Sequence, residues 1–191
     1  MNTVMTYRTN SSSSEKTEQL AALLGARLRG GEVIALNSDL GGGKTAFVRG
    51  LARGIGSTDH VSSPTFTISR QYRGRSVTPS IVNIQANSEA DNETENDAKL
   101  SNQSPASIES LTLYHFDFYR LTQPGLMSLE LTETLDDPAA VVAIEWGGIV
   151  EGVLPDDRLS IQITRTGDNA RDFVFEYPES LTYLIPEDYE C

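Results

Sequence analysis

The sequence has one cysteine, Cys191, and it is the last residue. An intrachain disulfide and a cysteine-rich metal site are excluded, and a terminal thiol is not a buried nucleophile. Lysine is nearly as scarce, with Lys16, Lys44 and Lys99 the complete set. Twenty-seven acidic residues face 15 basic ones for a net charge of −12, and Lys and Arg form no stripe anywhere. A protein that grips RNA or DNA unaided needs a basic face to neutralise phosphates, so any connection with nucleic acid has to be indirect. Long apolar runs are missing too: none approaches the roughly twenty residues that span a bilayer. Met1 to Arg8 also lacks the apolar region of a secretory signal. The expectation is a soluble cytoplasmic protein. At 191 residues and 38% hydrophobic content, the chain can bury a sizeable core as one α/β domain.

What is present is a glycine-rich loop in a telling context. Glu32-Val-Ile-Ala-Leu-Asn37 predicts a buried strand, and Ser38-Asp-Leu-Gly-Gly-Gly-Lys-Thr45 follows it directly. Thr45 to Arg53 then predicts a helix with Phe47, Val48 and Leu51 on one face. Gly41, Gly42 and Gly43 let backbone N–H groups line a concavity for phosphate oxygens, and the helix adds the positive end of its dipole. Lys44 is expected to reach the β- and γ-phosphates and the Thr45 hydroxyl to bind Mg2+. The strict P-loop pattern has glycine where this chain has Ser38.

Elsewhere, Ser11 to Ser14 with Glu15 and Glu18 offer N-caps for a helix bearing Leu20, Leu23, Leu24 and Leu28, ended by Gly30-Gly31. Val61 to Tyr72 reads as a loop opening into a strand. From about Ser76 to Ser110 the composition shifts, with Glu89, Asp91, Glu93, Glu95 and Asp97 among Asn, Ser and Thr and no aromatic residue. Such a stretch buries too little apolar surface to offset its ordering entropy, which predicts a solvated, disordered insertion over about residues 85–108. Its alternating acids lack the preorganised geometry of a cation site. Leu111 to Asp117 predicts a strand ending in an acid, Leu126 to Leu135 a short helix, and Ala139 to Glu145 a buried central strand that also ends in an acid. Leu159 to Thr164 and Phe173 to Tyr177 flank Gly167-Asp-Asn169 as an antiparallel hairpin.

Two strand-end acids matter because ligands of open α/β sheets sit at the carboxyl ends of the strands, and a P-loop needs a carboxylate there for Mg2+. Asp117 and Glu145 fill that position, and both are expected to face solvent. His115 is read as a structural strand histidine.

The order of these pieces resembles the TsaE family, also called YjeE, the small P-loop ATPases of bacterial tRNA threonylcarbamoyladenosine synthesis. The matching stretches are Asp39 to Phe47, Ser63-Pro-Thr-Phe-Thr67, Tyr114-His-Phe-Asp-Phe-Tyr-Arg-Leu121, Ile144-Glu-Trp146 and Leu154-Pro155, across about residues 14–175. The departures are Ser38, the acidic insertion, and Gly147 where proline usually follows Glu-Trp. The resemblance implies a single P-loop NTPase-like three-layer domain over residues 1–191, with central parallel strands, antiparallel edge strands and the insertion at about 76–110. It implies that Gly41, Gly42, Gly43, Lys44, Thr45 and Ala46 cradle the phosphates of ATP, and that Thr45 and Glu145 coordinate Mg2+. Thr65 would lie in a switch-I loop, Asp117 would serve hydrolysis from the switch-II position, and Trp146 would pack beside the site. The regions of Ser14 to Thr17 and Ala170-Arg171 correspond to the segments that approach the base end of the nucleotide, and the motif raises Tyr119 and Arg120 above ordinary sheet core. The implied partners are enzymes resembling TsaB and TsaD that threonylcarbamoylate adenosine 37 of tRNA, with hydrolysis slow in their absence. A small P-loop kinase passing the γ-phosphate to a metabolite is the alternative, although its usual arginine-bearing lid has no counterpart in these scattered arginines. A GTPase lacks support, since the sequence holds no Asn-Lys-x-Asp motif.

Overall fold

The computed structural model describes residues 3–74, 110–123, 125, 127–187 and 189. Ser13 opens the first helix: its extended backbone frees the hydroxyl to accept the Lys16 N–H at 3.2 Å, and Glu15 in the first turn complements the dipole. This helix, α1 (Ser14–Gly25), stops before the expected Gly30-Gly31 end. Further along, the turn at Arg29-Gly30 is held by the buried Glu32 carboxylate, which accepts the Arg29 and Gly30 N–H groups at 2.6 and 2.8 Å and the Tyr183 hydroxyl at 2.8 Å. Burial and that carboxylate raise Tyr183 well above the ordinary tyrosine range, so it remains a donor.

Seven strands form one sheet: β1 (Val4–Ser11), β2 (Val33–Asn37), β3 (Ser69–Arg73), β4 (Thr112–Asp117), β5 (Ala140–Glu145), β6 (Leu159–Arg165) and β7 (Arg171–Pro178). Their order is β1-β7-β6-β2-β5-β4-β3. The central β6, β2, β5 and β4 are parallel, whereas β1 and β7 on one side and β3 on the other pair antiparallel, as the fold class requires. All six residues of β5 are buried, which explains the apolar run from Ala140 to Ile144 ahead of Glu145.

On one face lie α1 and α2 (Lys44–Gly54), over a core that includes Leu20, Leu24, Phe47, Leu51, Phe173 and Phe175. A Cβ on Gly25 would meet Leu51 O at 2.5 Å, one on Gly50 Glu18 O at 2.4 Å, and one on Gly54 Ala22 O at 2.5 Å. These three glycines let the two helices pack backbone to backbone. On the other face α3 (Met127–Leu135) and the 3-10 turn Gly147–Val153, through its buried Val150, cover Phe116, Phe118 and Ile144.

The sequence does not announce the edge strand β1, because its inward residues are Tyr7, Thr9 and Ser11, of which only Tyr7 is a large apolar side chain packed on the core. Of the insertion expected at about 76–110, residues 76–109 lie outside the described residues, as does Cys191.

Candidate nucleotide site

The β2–α2 connection forms the loop that its glycines predict. Gly41 and Gly43 take positive φ values of 72° and 110°, and Gly43 is the N-cap of α2. Ser38 suits this loop: its Oγ donates to Asp39 O at 2.9 Å and lies where a Cβ on Gly42 would come within 2.1 Å. Lys44, 5% exposed, folds back over the loop and donates to Ser38 O and Asp39 O, each at 3.1 Å. Its Nζ also sits 3.8 Å from Glu145 Oε2 and 4.7 Å from the centre of the Trp146 ring. Thr45 and Ala46 follow, half-buried, in the first turn of α2.

The parallel register then brings the two acids together, since Asp117 and Glu145 are direct partners at the ends of β4 and β5. They do not face solvent as expected. Asp117 is 3% and Glu145 4% exposed. Each carboxylate is instead held by specific donors, without which its burial would be costly. Asp117 Oδ2 accepts the Thr65 hydroxyl at 2.5 Å and the Ser63 hydroxyl at 3.5 Å, and Oδ1 accepts the Tyr119 N–H at 3.0 Å. Glu145 Oε1 lies 2.9 Å from His115 Nε2. His115 is therefore part of the site's wiring and not only a packing residue. Sequence reasoning missed this because the contact depends on the β4–β5 register.

The two non-glycine residues with positive φ among the described residues, Ile68 at 67° and Trp146 at 59°, adjoin these acids. Ile68 O accepts the Asp117 N–H at 2.9 Å, and Trp146 follows Glu145 in the chain. Such backbone strain concentrates at functional sites. Trp146 also packs on Tyr119 at 5.1 Å, while the Arg120 guanidinium lies 4.5 Å from the ring of Phe66, which is 84% exposed. The loop carrying Ser63 and Thr65 is pinned at its start, where Tyr72 Oη donates to Ser62 O at 2.9 Å. Burial raises that hydroxyl above the ordinary tyrosine range.

Arg171 reaches the glycine-rich loop from the hairpin, its Nε donating to Gly42 O at 2.8 Å. Ser11 is its register partner, and the Ser11 and Thr17 hydroxyls share a 2.7 Å hydrogen bond. The amino-end segment and Arg171 thus converge beside the loop. A cavity of about 290 Å³ lined by Asn37, Ser38, Trp146, Gln162 and Thr164, among others, adjoins it. A larger hollow of about 540 Å³ around Asp156, Arg158 and Glu176 contains none of these loop residues and is not the candidate site.

A strand, a glycine loop, a helix and two strand-end acids beneath one lysine define the class: an α/β protein of the P-loop type. The model of the family described as threonylcarbamoyl adenosine biosynthesis protein TsaE matches residues 11–86 and 99–173. The chain belongs to the TsaE family. It is similar to the tRNA threonylcarbamoyladenosine biosynthesis protein TsaE of Bacillus subtilis, with 34% identity over 161 residues that cover 84% of this chain and 79% of that protein. The protein of the same name from Treponema pallidum is 30% identical over 163 residues, covering 85% of this chain and 94% of its own. The crystal structure of YdiB from Bacillus subtilis superposes with a TM-score of 0.64 at 28% identity, over 99% of this chain and 97% of that one.

Proposed function

We propose that this protein binds ATP with Mg2+ and hydrolyses it in support of tRNA threonylcarbamoylation carried out by partner enzymes resembling TsaB and TsaD. The observation that carries the reading is Lys44 Nζ lying 3.8 Å from Glu145 Oε2, on a loop of three glycines that opens α2. The donor set fits a hard divalent cation: the Glu145 carboxylate and the Thr45 hydroxyl are oxygen ligands, and Asp117 adds a second carboxylate nearby. Bound Mg2+ supplies neutralisation of the charge that develops on the β- and γ-phosphates.

The backbone N–H groups of Gly41 to Lys44 and the N-terminus of α2 receive the phosphates. Lys44 exchanges the Ser38 and Asp39 carbonyls for phosphate oxygens. Asp117 orients the attacking water and takes its proton as the bond from the γ-phosphorus to the bridging oxygen breaks, leaving ADP and inorganic phosphate. Thr65 and Ser63 already donate to that carboxylate, so their loop senses its state. The net charge of −12 supports a tRNA contact made through the partners. ATP is preferred over GTP, and turnover alone is slow.

The test measures ATP turnover with and without the partner pair, and ATP binding by calorimetry, for the wild type and Lys44→Ala. Partner-stimulated turnover and loss of ATP binding in the variant are expected. Undiminished affinity in Lys44→Ala overturns the reading.

A further inference from the structure

His115 is completely buried in β4, and Glu145 Oε1, 2.9 Å from Nε2, is its polar contact; Nδ1 has no hydrogen-bond partner among the described residues. A carboxylate oxygen only accepts, so Nε2 carries the hydrogen. For packing alone this is a poor choice, since a buried ring with one nitrogen unpartnered costs free energy that an apolar side chain of similar volume would not. The imidazole spends its one satisfied nitrogen on the acid at the nucleotide site.

We propose that His115 is a positioning residue that fixes the Glu145 carboxylate for a divalent cation bound together with nucleotide. The inference rests on the assignment of Glu145 to that cation under the proposed function. Geometry explains how it works. His115 pairs in register with Ala143, so Glu145 is its diagonal neighbour on the same sheet face, two residues further along β5. A donor on Oε1 stops rotation of the carboxylate plane and leaves Oε2 directed toward Lys44 at 3.8 Å. A ligand oxygen already oriented loses less conformational freedom when the cation arrives. Behind His115, the Tyr72 ring lies at 6.5 Å and its hydroxyl holds Ser62 at 2.9 Å, so one packed unit supports both the acid and the entry to the Ser63–Thr65 loop.

The test uses the full chain and reads ATP affinity by calorimetry across a Mg2+ series, with an EDTA arm and melting temperatures as controls. His115→Phe is expected to raise the Mg2+ concentration needed for tight ATP binding roughly tenfold, the scale of losing a partner that orients a metal ligand. ATP affinity in EDTA stays unchanged. His115→Gln, whose amide nitrogen can occupy the place of Nε2, restores most of the Mg2+ response, while the shorter His115→Asn does not. In a Glu145→Gln background, His115→Phe adds nothing further.

A Mg2+ requirement unaltered in His115→Phe but raised in Glu145→Gln overturns the positioning role and leaves the Glu145 assignment standing. An unaltered requirement in Glu145→Gln overturns both. If His115→Phe does not fold, equal behaviour of the Gln and Asn variants overturns the proposal.

Discussion

At the scale of single residues, the two acids of the site are buried and each is held by a hydrogen-bond donor brought from elsewhere in the chain. Asp117 shows what that does to mutagenesis. Its carboxylate accepts from Thr65, Ser63 and the Tyr119 N–H at 3% exposure, so removing it leaves buried donors unmatched. Asp117→Ala is therefore expected to lower the melting temperature by about 5 °C, from about 2 kcal/mol of lost satisfaction in a domain of this size. Asp117→Asn keeps an oxygen for the Tyr119 N–H and should melt close to the wild type, yet lose partner-stimulated turnover while still binding ATP. Thermal melts beside turnover assays separate the two effects, and full turnover in Asp117→Asn would remove Asp117 from the chemistry.

At the scale of elements, the pairing of α1 with α2 holds the helix that the glycine-rich loop opens. Besides the apolar core they share, two features join the helices: backbone contact through Gly25, Gly50 and Gly54, and the Glu18 carboxylate bridging Arg49 at 2.6 Å and Arg53 at 2.9 Å. The first should dominate. A Cβ at Gly50 would have to displace Glu18 O and Ala21 Cβ, at 2.4 and 2.5 Å, and rigid backbone cannot yield as a side chain can. Gly50→Ala is expected to cost about 2 kcal/mol by overpacking. Arg49→Ala, removing a pair whose arginine side chain is 42% exposed, should cost less than about 1 kcal/mol. Chemical denaturation of both variants checks the ranking, and a Gly50→Ala as stable as the wild type would mean that the helices can slide apart freely.

At the scale of the whole molecule, the acidic stretch joins two strands that are already paired. β3 and β4 run antiparallel, with Arg73 opposite Thr112, and the Gly74 N–H donates to Leu111 O at 2.8 Å. The ends of the intervening segment are thus adjacent, and a short turn can replace its middle. Deleting residues 85–108 should leave the melting temperature and ATP affinity nearly unchanged, because loop length costs only about 0.6 kcal/mol per doubling. The two stretches matched by the family model leave residues 87–98 between them, which supports the same expectation. Association with the partner enzymes should change and become differently salt-sensitive, since five closely spaced acids are lost. A large fall in melting temperature would show the segment to be packed structure.

Much of this was written in local pattern. Apolar runs near glycine or proline marked β2 and β5, an aromatic-rich stretch ending in an acid marked β4, alternation marked the β6–β7 hairpin, and the loop from Ser38 to Thr45 between a strand and a helix marked the candidate site, because each signal arises from neighbours within a few residues. The chain order of these motifs was enough to suggest the family. What local pattern did not contain is lateral adjacency. The inward face of the edge strand β1 is Tyr7, Thr9 and Ser11, too polar to give an apolar period, and α1 ends at Gly25 while Glu32, beyond the helix, holds the turn at Arg29-Gly30. The burial of Asp117 and Glu145, the contact of His115 with Glu145 and the reach of Arg171 to Gly42 depend on strand order and register, which are set by which faces the helices cover. Residues 30 and 129 positions apart meet only once the whole sheet is assembled, so the acids were legible as residues while their environment was decided by the tertiary structure.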